Sequence, residues 1–467
     1  MQFTSYAFLL FFLTVLVLYW AAGGRRWQNL ILLAASFIFY GWLAPWHSAV
    51  LFASIAVDYF LALAMVRWKP RAVLFMWLGL SLNIGLLAFV KYYFTFDEIL
   101  AAWAGGFGIS SDHFLSFIIL PLGVSFYTLK KISYLIETAR GTLQPARDFI
   151  AYAAYISFFP QVFSGPIDRP QKLLSQLETP RVWASSHFYN AWQLLLMGLF
   201  KKIVIANTVK VFVDQIFLMK EPSKVFLIVG GLGFTLQILA DFSSYTDLSR
   251  GLAFLLGLQT TENFNKPYLA LTPGEFWNRW HISFSSWLRD TIFFPLRRTL
   301  LKMQRLPGFL PEIIPPLVTM FISGLWHGTG LTFITWGLYY GVLIVIYQWI
   351  GIRGNWKPAN GFGRFLAWLM MFLLIVFGWI IFRAPSMPWL WNALVYSPLY
   401  RSVDELTASL VLAIMIAFYA SLLLLKYMLE LAWPSRENIH AFYYAAATLL
   451  TLVFMNSSSP DFIYFQF

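Results

Sequence analysis

The sequence predicts an all-α polytopic membrane protein, and three observations carry the prediction. The chain of 467 residues is 59% hydrophobic and 12% charged, where a soluble domain carries about 25% charged residues. Apolar stretches of roughly 20 residues recur along it, each long enough to cross a bilayer as a helix. The short alternating segments of a membrane β-barrel are absent. Helices satisfy a backbone that finds no hydrogen-bond partner in lipid.

Candidate spans run over 3–21, 28–45, 48–66, 72–90, 114–136, 148–164, 188–217, 224–257, 312–350, 363–383, 406–431 and 440–457. Some are expected to prove broken or re-entrant, which leaves about 11 crossings. No internal repeat, low-complexity run or long Pro/Gly/Ser linker divides them, so residues 1–467 read as one transmembrane domain. The stretch Met1 to Trp20 lacks a charged leader and a small-residue cleavage site, and reads as a retained first helix.

Basic residues set the expected orientation. Arg25 and Arg26 follow the first span, Arg67, Lys69 and Arg71 the third, and Lys130, Lys131, Arg140 and Arg147 flank the end of the fifth. The intervening loops are poor in such charge: Pro45-Trp46-His47 has none, and Lys91 is set against Asp97, Glu98 and Asp112. Alternate loops are therefore expected in the cytoplasm, with the amino terminus on the outer face. The formal charge of +12 follows from this topology rather than from nucleic-acid binding.

Residues 259–311 form the most unusual stretch. Glu275, Asn278, Arg279, His281, Arg289 and Asp290 alternate with Phe276, Trp277, Trp280, Phe284 and Trp287. Between 275 and 290 the mixture has helical spacing, which predicts one amphipathic helix in the interface or dipping into the protein. Such a helix serves equally as a plain membrane anchor or as part of a site.

Six histidines are present. His47 and His113 fall in predicted outward loops, and His187 and His440 start predicted helices, so surface, capping or interfacial roles suffice. His281 lies in the aromatic-basic stretch. His327, in Ser323-Gly324-Leu325-Trp326-His327-Gly328, stands between two apolar runs. An imidazole at membrane depth is costly without a partner or a wet cavity, which makes it a functional candidate. Flanking glycines permit a helix break or a close approach. The competing reading is a structural histidine bonded to a neighbouring helix. Asp58, Asn83, Asp241 and Arg250 also interrupt apolar runs, and interhelical salt bridges are expected of Asp241 and Arg250.

Several chemistries are excluded. Zero cysteines remove disulfides, thiolate metal sites and thiol nucleophiles. No phosphate-binding G-x-x-x-x-G-K-[ST], G-x-S-x-G elbow or H-E-x-x-H occurs. No carboxylate stands at ligand spacing beside His281 or His327, so no metal is expected.

Ordered motifs then carry a resemblance. They are Met1-Gln2-Phe3-Thr4-Ser5, Leu122-Gly123-Val124-Ser125-Phe126-Tyr127-Thr128, Phe159 to Ile167, Asp241 to Asp247, Phe276-Trp277-Asn278-Arg279-Trp280-His281, Trp287-Leu288-Arg289-Asp290, Gly324-Leu325-Trp326-His327-Gly328, Gly378 to Ala384 and Phe462 to Phe467. Together they resemble the membrane-bound O-acyltransferase family, in particular its bacterial polysaccharide O-acetylation branch. One departure follows His327-Gly328, where Thr329-Gly330-Leu331-Thr332 replaces the expected small or aromatic pair.

The resemblance implies a ring of tilted transmembrane helices, with re-entrant or interfacial pieces, around a central tunnel. It implies acetyl transfer from a cytoplasmic donor, acetyl-CoA, across the bacterial inner membrane to an exopolysaccharide such as alginate or cellulose. Peptidoglycan is the alternative acceptor, and a transporter or channel the alternative class. His327 and His281 map onto the family's catalytic positions. Asn278, Arg279, Trp326, Arg289, Asp290, Tyr127 and Gln161 are the expected substrate-binding residues. No bound cofactor is implied, and an exported periplasmic acetyltransferase is the expected partner.

Overall fold

The structure, a computed structural model, describes residues 1–42, 44–93, 123–303, 307–352, 356–455 and 462. His113, Asp97, Glu98, Asp112, Leu122, the first part of the predicted span 114–136 and Ile463 to Phe467 lie outside the described residues. Those described are built from helices, with one isolated antiparallel bridge between Phe264 and Trp280. Six helical stretches among them are long and apolar enough to cross a membrane: 45–67, 69–91, 224–255, 331–349, 361–383 and 403–432. In Val403–Ala432 only 11% of the apolar window is buried. So apolar a surface, left uncovered by protein, is what a lipid environment accommodates.

The chain divides into two compact units, residues 1–192 with 249–261, and residues 193–248 with 262–467. The first unit begins with α1 (Tyr6–Ala21), α2 (Arg25–Gly41), α3 (Pro45–Arg67) and α4 (Ala72–Lys91). It continues with α5 (Val124–Ala139), α6 (Phe149–Ser157) and α7 (Pro170–Leu177). Ser5 starts α1 by accepting from the Phe8 amide, 3.1 Å, which meets one of the open donors of a first turn. Pro45 at the start of α3 fits where no amide is needed. That start carries His47 into α3, where it is buried against Tyr40 and Trp46. His47 is therefore a packed helical residue rather than the loop residue expected.

Polar side chains inside the first unit answer one another. Asp58 on α3 receives Lys131 at 3.3 Å and the Asn83 amide at 2.9 Å. Lys130 donates to Gln161, 2.7 Å, which donates to Asp168, 2.6 Å. Arg181 ties Tyr19 and Asn29 together, each at 2.7 Å. Pairing of this kind removes the penalty of burying charge in an apolar interior. At Gly123 (φ +78°) a Cβ would stand 2.3 Å from the Val162 carbonyl oxygen. Two of the motifs noted in the sequence, around 123 and 162, thus touch through backbone.

The helix α8 (Ser185–Phe200) runs through a π-turn, Lys201–Ala206, into α9 (Asn207–Leu218), and is followed by α10 (Lys224–Leu255). In the second unit Lys202 of that π-turn meets Asp241 of α10 at 2.7 Å, so Asp241 does form an interhelical salt bridge. The unit continues with α11 (Pro273–Arg279), α12 (Ile282–Leu288), a π-turn at Arg289–Phe293, and α13 (Phe294–Lys302). Then come α14 (Leu310–His327), α15 (Leu331–Trp349), α16 (Gly361–Arg383), α17 (Met387–Val395), α18 (Val403–Ala432) and α19 (Glu437–Phe454).

The predicted span 312–350 is a hairpin of α14 and α15, turned at Gly328 to Gly330. Its helices close through glycine. A Cβ on Gly337 would lie 2.3 Å from the Met320 carbonyl oxygen, and one on Gly324 2.4 Å from that of Phe333. Gly337→Ala is expected to cost about 1–3 kcal/mol through overpacking. Gly330→Ala, whose Cβ would meet nothing nearer than 3.5 Å, is expected to stay within about 0.5 kcal/mol. Thermal midpoints of the two solubilised variants check this.

Candidate active site

The predicted amphipathic helix over 275–290 is two short helices with a corner between them. Thr272 caps α11 by accepting from the Glu275 amide, 3.1 Å, while Glu275 accepts from the Leu271 amide, 2.8 Å. The corner falls at Trp280 and His281 because a strand-like segment from 18 residues upstream competes for their backbone. Asn265 donates to the Arg279 carbonyl, 2.9 Å, and Ile282 to the Asn263 carbonyl, 3.0 Å. The Asn263 side chain also accepts from the Ser283 amide, 3.1 Å. These bonds hold His281 in the left-handed region, φ 43°, which an L side chain adopts only when its surroundings impose it.

The imidazole of His281 is 1% exposed. Its ring lies 4.8 Å from Phe242 and 5.0 Å from Phe284, centroid to centroid. Burial, with too little polar compensation for a cation, lowers its pKa to about 3. His281 therefore stays neutral at physiological pH. The unfolded chain takes up this proton near pH 6.5 and the folded chain only near 3. The stability contribution is thus complete above about 6.5 and is lost as pH falls from there toward 3. In selectively labelled protein the His281 ring resonances are expected to stay constant from pH 8 to pH 5. A titration centred near 6 would contradict this environment.

His327 ends α14 and is 5% exposed. Aromatic rings surround it: Trp326 at 4.8 Å, Trp336 at 5.1 Å, Phe382 at 5.3 Å and Phe284 at 5.9 Å. Phe284 stacks on Trp326 at 4.3 Å. Both histidines thus neighbour Phe284, and both neighbour Trp326, which lies 6.2 Å from His281. The structure brings His281, His327 and Trp326 into one aromatic cluster of the second unit.

That cluster holds hydrogen-bond donors in reserve. Among the described residues, Trp336 Nε1, Trp379 Nε1 and Tyr340 Oη are buried without a hydrogen-bond partner. Trp336 contacts His327 and both other donors by ring packing, at 5.1 Å, 6.0 Å and 5.5 Å. An orphaned buried donor is uncommon in a folded protein and asks for an acceptor. Neither Trp336 nor Asn263 belongs to a recognisable motif, so the sequence does not point to them.

The other expected residues are distributed differently. Arg279 pairs with Glu275 at 2.7 Å, one turn back on α11. Arg289 and Asp290 are about half exposed and lie 3.4 Å apart, with the Asn278 side-chain oxygen 3.5 Å from Arg289. Asn278, Arg279, Arg289 and Asp290 are near the cluster in sequence, and none of them belongs to its buried interior. Tyr127 and Gln161 belong to the first unit. There Gln161 joins Lys130 to Asp168, and Tyr127 is buried near Tyr40. Among the described residues no group of three or more His, Asp or Glu side chains is arranged to hold a metal.

Comparison with known proteins places this geometry. The family profile described as the membrane-bound O-acyltransferase family matches residues 146–377, which include His281 and His327. The chain is 34% identical over 392 residues to the probable alginate O-acetylase of Pseudomonas putida, covering 83% of this chain and 78% of that one. It is 32% identical over 447 residues to the probable alginate O-acetylase of Azotobacter vinelandii, covering 94% and 85%. It is 31% identical over 408 residues to the peptidoglycan O-acetyltransferase of Helicobacter pylori, covering 80% and 75%. With an all-helical multi-pass architecture and relatives of this identity over most of their length, the chain belongs to the membrane-bound O-acyltransferase family and is an acyltransferase.

Proposed function

We propose that this acyltransferase is an O-acetyltransferase of the bacterial inner membrane. It takes an acetyl group from a cytoplasmic thioester, acetyl-CoA, and delivers it to a hydroxyl on the outer side for O-acetylation of an exopolysaccharide such as alginate. The observation that carries the mechanism is His327 at the end of α14, walled by four aromatic rings and sharing two of them with His281. The named activity of the relatives supports the reaction class. The amino terminus is assigned to the outer face by the alternation of basic loops.

In the proposed step the acceptor hydroxyl attacks the thioester carbonyl. A C–O bond forms, the C–S bond breaks, and His327 takes the hydroxyl proton and passes it to the departing thiolate. Negative charge builds on the carbonyl oxygen meanwhile. The N–H of Trp336 is free to donate there, and neutral His281 is available as a second uncharged polar group. The aromatic walls exclude water, which would otherwise compete with the acceptor for the acetyl group.

Arg289, exposed beside Asn278, is the cation we assign to donor phosphates at the mouth of the site. Arg279 is held closer by Glu275, 2.7 Å against 3.4 Å for Arg289 and Asp290, and is less exposed, which leaves Arg289 the more open of the two. Trp326 is part of the aromatic wall, and Asp290 pairs with Arg289 outside it. Tyr127 and Gln161 are retained as structural residues of the first unit, given their buried partners. An exported acetyltransferase receives the acetyl group and places it on the polymer. The test is thioester consumption by purified protein supplied with acetyl-CoA and a hydroxyl acceptor. Stoichiometric release of free thiol and ester is expected, and absence of thiol release across donors would overturn the reading.

A further inference from the structure

One buried hydroxyl on α14 stands outside the proposed acyl-transfer step. Several buried serines and threonines in the helices of this protein donate to the carbonyl one turn back: Ser133 to Leu129 at 3.0 Å, and Ser157 to Ala153, Thr235 to Gly231 and Thr451 to Ala447 at 2.7 Å. Such a bond satisfies a helical hydroxyl where no water reaches it. Ser323 departs from the pattern. It is 0% exposed, and its Oγ has no hydrogen-bond partner among the described residues. A buried hydroxyl in that state is uncommon and calls for an acceptor.

Its position narrows what that acceptor is. Ser323 lies one turn before His327 on α14, and residues four apart on a helix are neighbours. Helical side chains lean toward the amino-terminal end, so the His327 imidazole leans over the turn that holds Ser323. Backbone contact with α15 fixes that turn. A Cβ on Gly324 would lie 2.4 Å from the Phe333 carbonyl oxygen, and one on Gly337 3.2 Å from the Gly324 amide nitrogen. Gly324 follows Ser323 and Gly337 follows Trp336, so this tight crossing places Ser323 and Trp336 on facing helices at one level. The Trp336 ring lies 5.1 Å from that of His327, and its Nε1 is also buried without a partner. Two donors, one from each helix of the hairpin, thus neighbour one imidazole.

We propose that Ser323 is a further catalytic residue of this site, its hydroxyl donating to the thioester carbonyl oxygen alongside Trp336 Nε1. The proposal rests on the acetyl-transfer reading and adds a donor to the oxyanion of that step. Charge gathers on the oxygen only as the C–O bond forms, so the pair acts on the transition state more than on the bound donor. Ser323 keeps its proton throughout, and the acceptor's proton still passes through His327 to the departing thiolate. In the resting protein the same hydroxyl is a stability cost, because it has lost its water and found no replacement. Activity and stability are therefore expected to move in opposite directions when it is removed.

The experiment measures thiol release and thermal midpoints for the full-length protein in detergent, with acetyl-CoA and a hydroxyl acceptor. Ser323→Ala is expected to lower kcat about 10²-fold, the usual loss for one oxyanion donor, with KM within about twofold. Its midpoint is expected to equal or exceed that of the parent. Thr319→Val gives the comparison. Thr319 Oγ1 is likewise buried without a partner, but it stands two turns from His327, ~12 Å along the helix. Its removal is expected to raise the midpoint while kcat stays within about twofold. A near-parental kcat in Ser323→Ala beside an inactive His327→Gln would overturn the role of Ser323 alone. So would a lowered midpoint in Ser323→Ala, which would assign its hydroxyl a structural bond, or an equal loss of kcat in Thr319→Val. No thiol release by the parent protein would overturn the acetyl-transfer reading, and this proposal with it.

Discussion

Replacing His327 with alanine is expected to lower the turnover of acetyl transfer by about 10²–10⁴-fold, the usual contribution of a positioned general base. Thermal stability is expected to change little by comparison. His327 is the last residue of α14, so removing its ring breaks no helix, and the stacked Phe284–Trp326 pair and the Trp336–Phe382 contact remain. His327→Gln is expected to lose as much activity, because an amide keeps a polar group there but accepts no proton at neutral pH. Steady-state rates with acetyl-CoA, paired with thermal midpoints of each variant, check both statements. A His327→Gln enzyme with a near-parental rate would remove His327 from the chemistry. His281→Ala is less informative, because the same change also alters the backbone corner held by Asn263.

The second large effect belongs to the first unit. Asp58→Ala is expected to destabilise the protein by about 3–5 kcal/mol, since it strands a buried lysine. Lys131 is 2% exposed and has Asp58 at 3.3 Å, and Asn83 spends its amide on the same carboxylate. The double replacement Asp58→Leu with Lys131→Met is expected to recover most of that loss, because a well-packed apolar pair needs no compensation. Midpoints of thermal unfolding in detergent for the parent, single and double variants form the check. A single variant as stable as the parent would mean that Lys131 is otherwise compensated.

Much of this protein is legible in its sequence, for identifiable reasons. Apolar runs of membrane length announce helices because lipid leaves the backbone no alternative. The glycines at 328–330 allowed a helix break, although 312–350 read as one span, and His327 between two apolar runs is found buried at the end of α14. The corner at His281 was not. Its cause is Asn263, eighteen positions away, and helical periodicity within 275–290 carries no trace of that competition. His47 was misread because its uncharged Pro-Trp-His stretch resembles a loop, whereas Pro45 in fact opens a helix. Spacing along α15 reveals which face Trp336 occupies, but not that the face packs against His327. Arg279 was expected among the substrate-binding residues, and in the structure it pairs with Glu275 one turn back on α11.

Acetyl transfer through His327 leaves its donor product on one face of the membrane and its ester on the other. The purified protein would be reconstituted in sealed vesicles, with labelled acetyl-CoA on the face bearing the basic loops and a hydroxyl acceptor on the other. Acetyl ester is predicted on the acceptor side with equal free thiol on the donor side, and with neither product in vesicles carrying His327→Gln. Labelled acetyl-CoA crossing intact, or ester formed at the parental rate without His327, would contradict acyl transfer through this site.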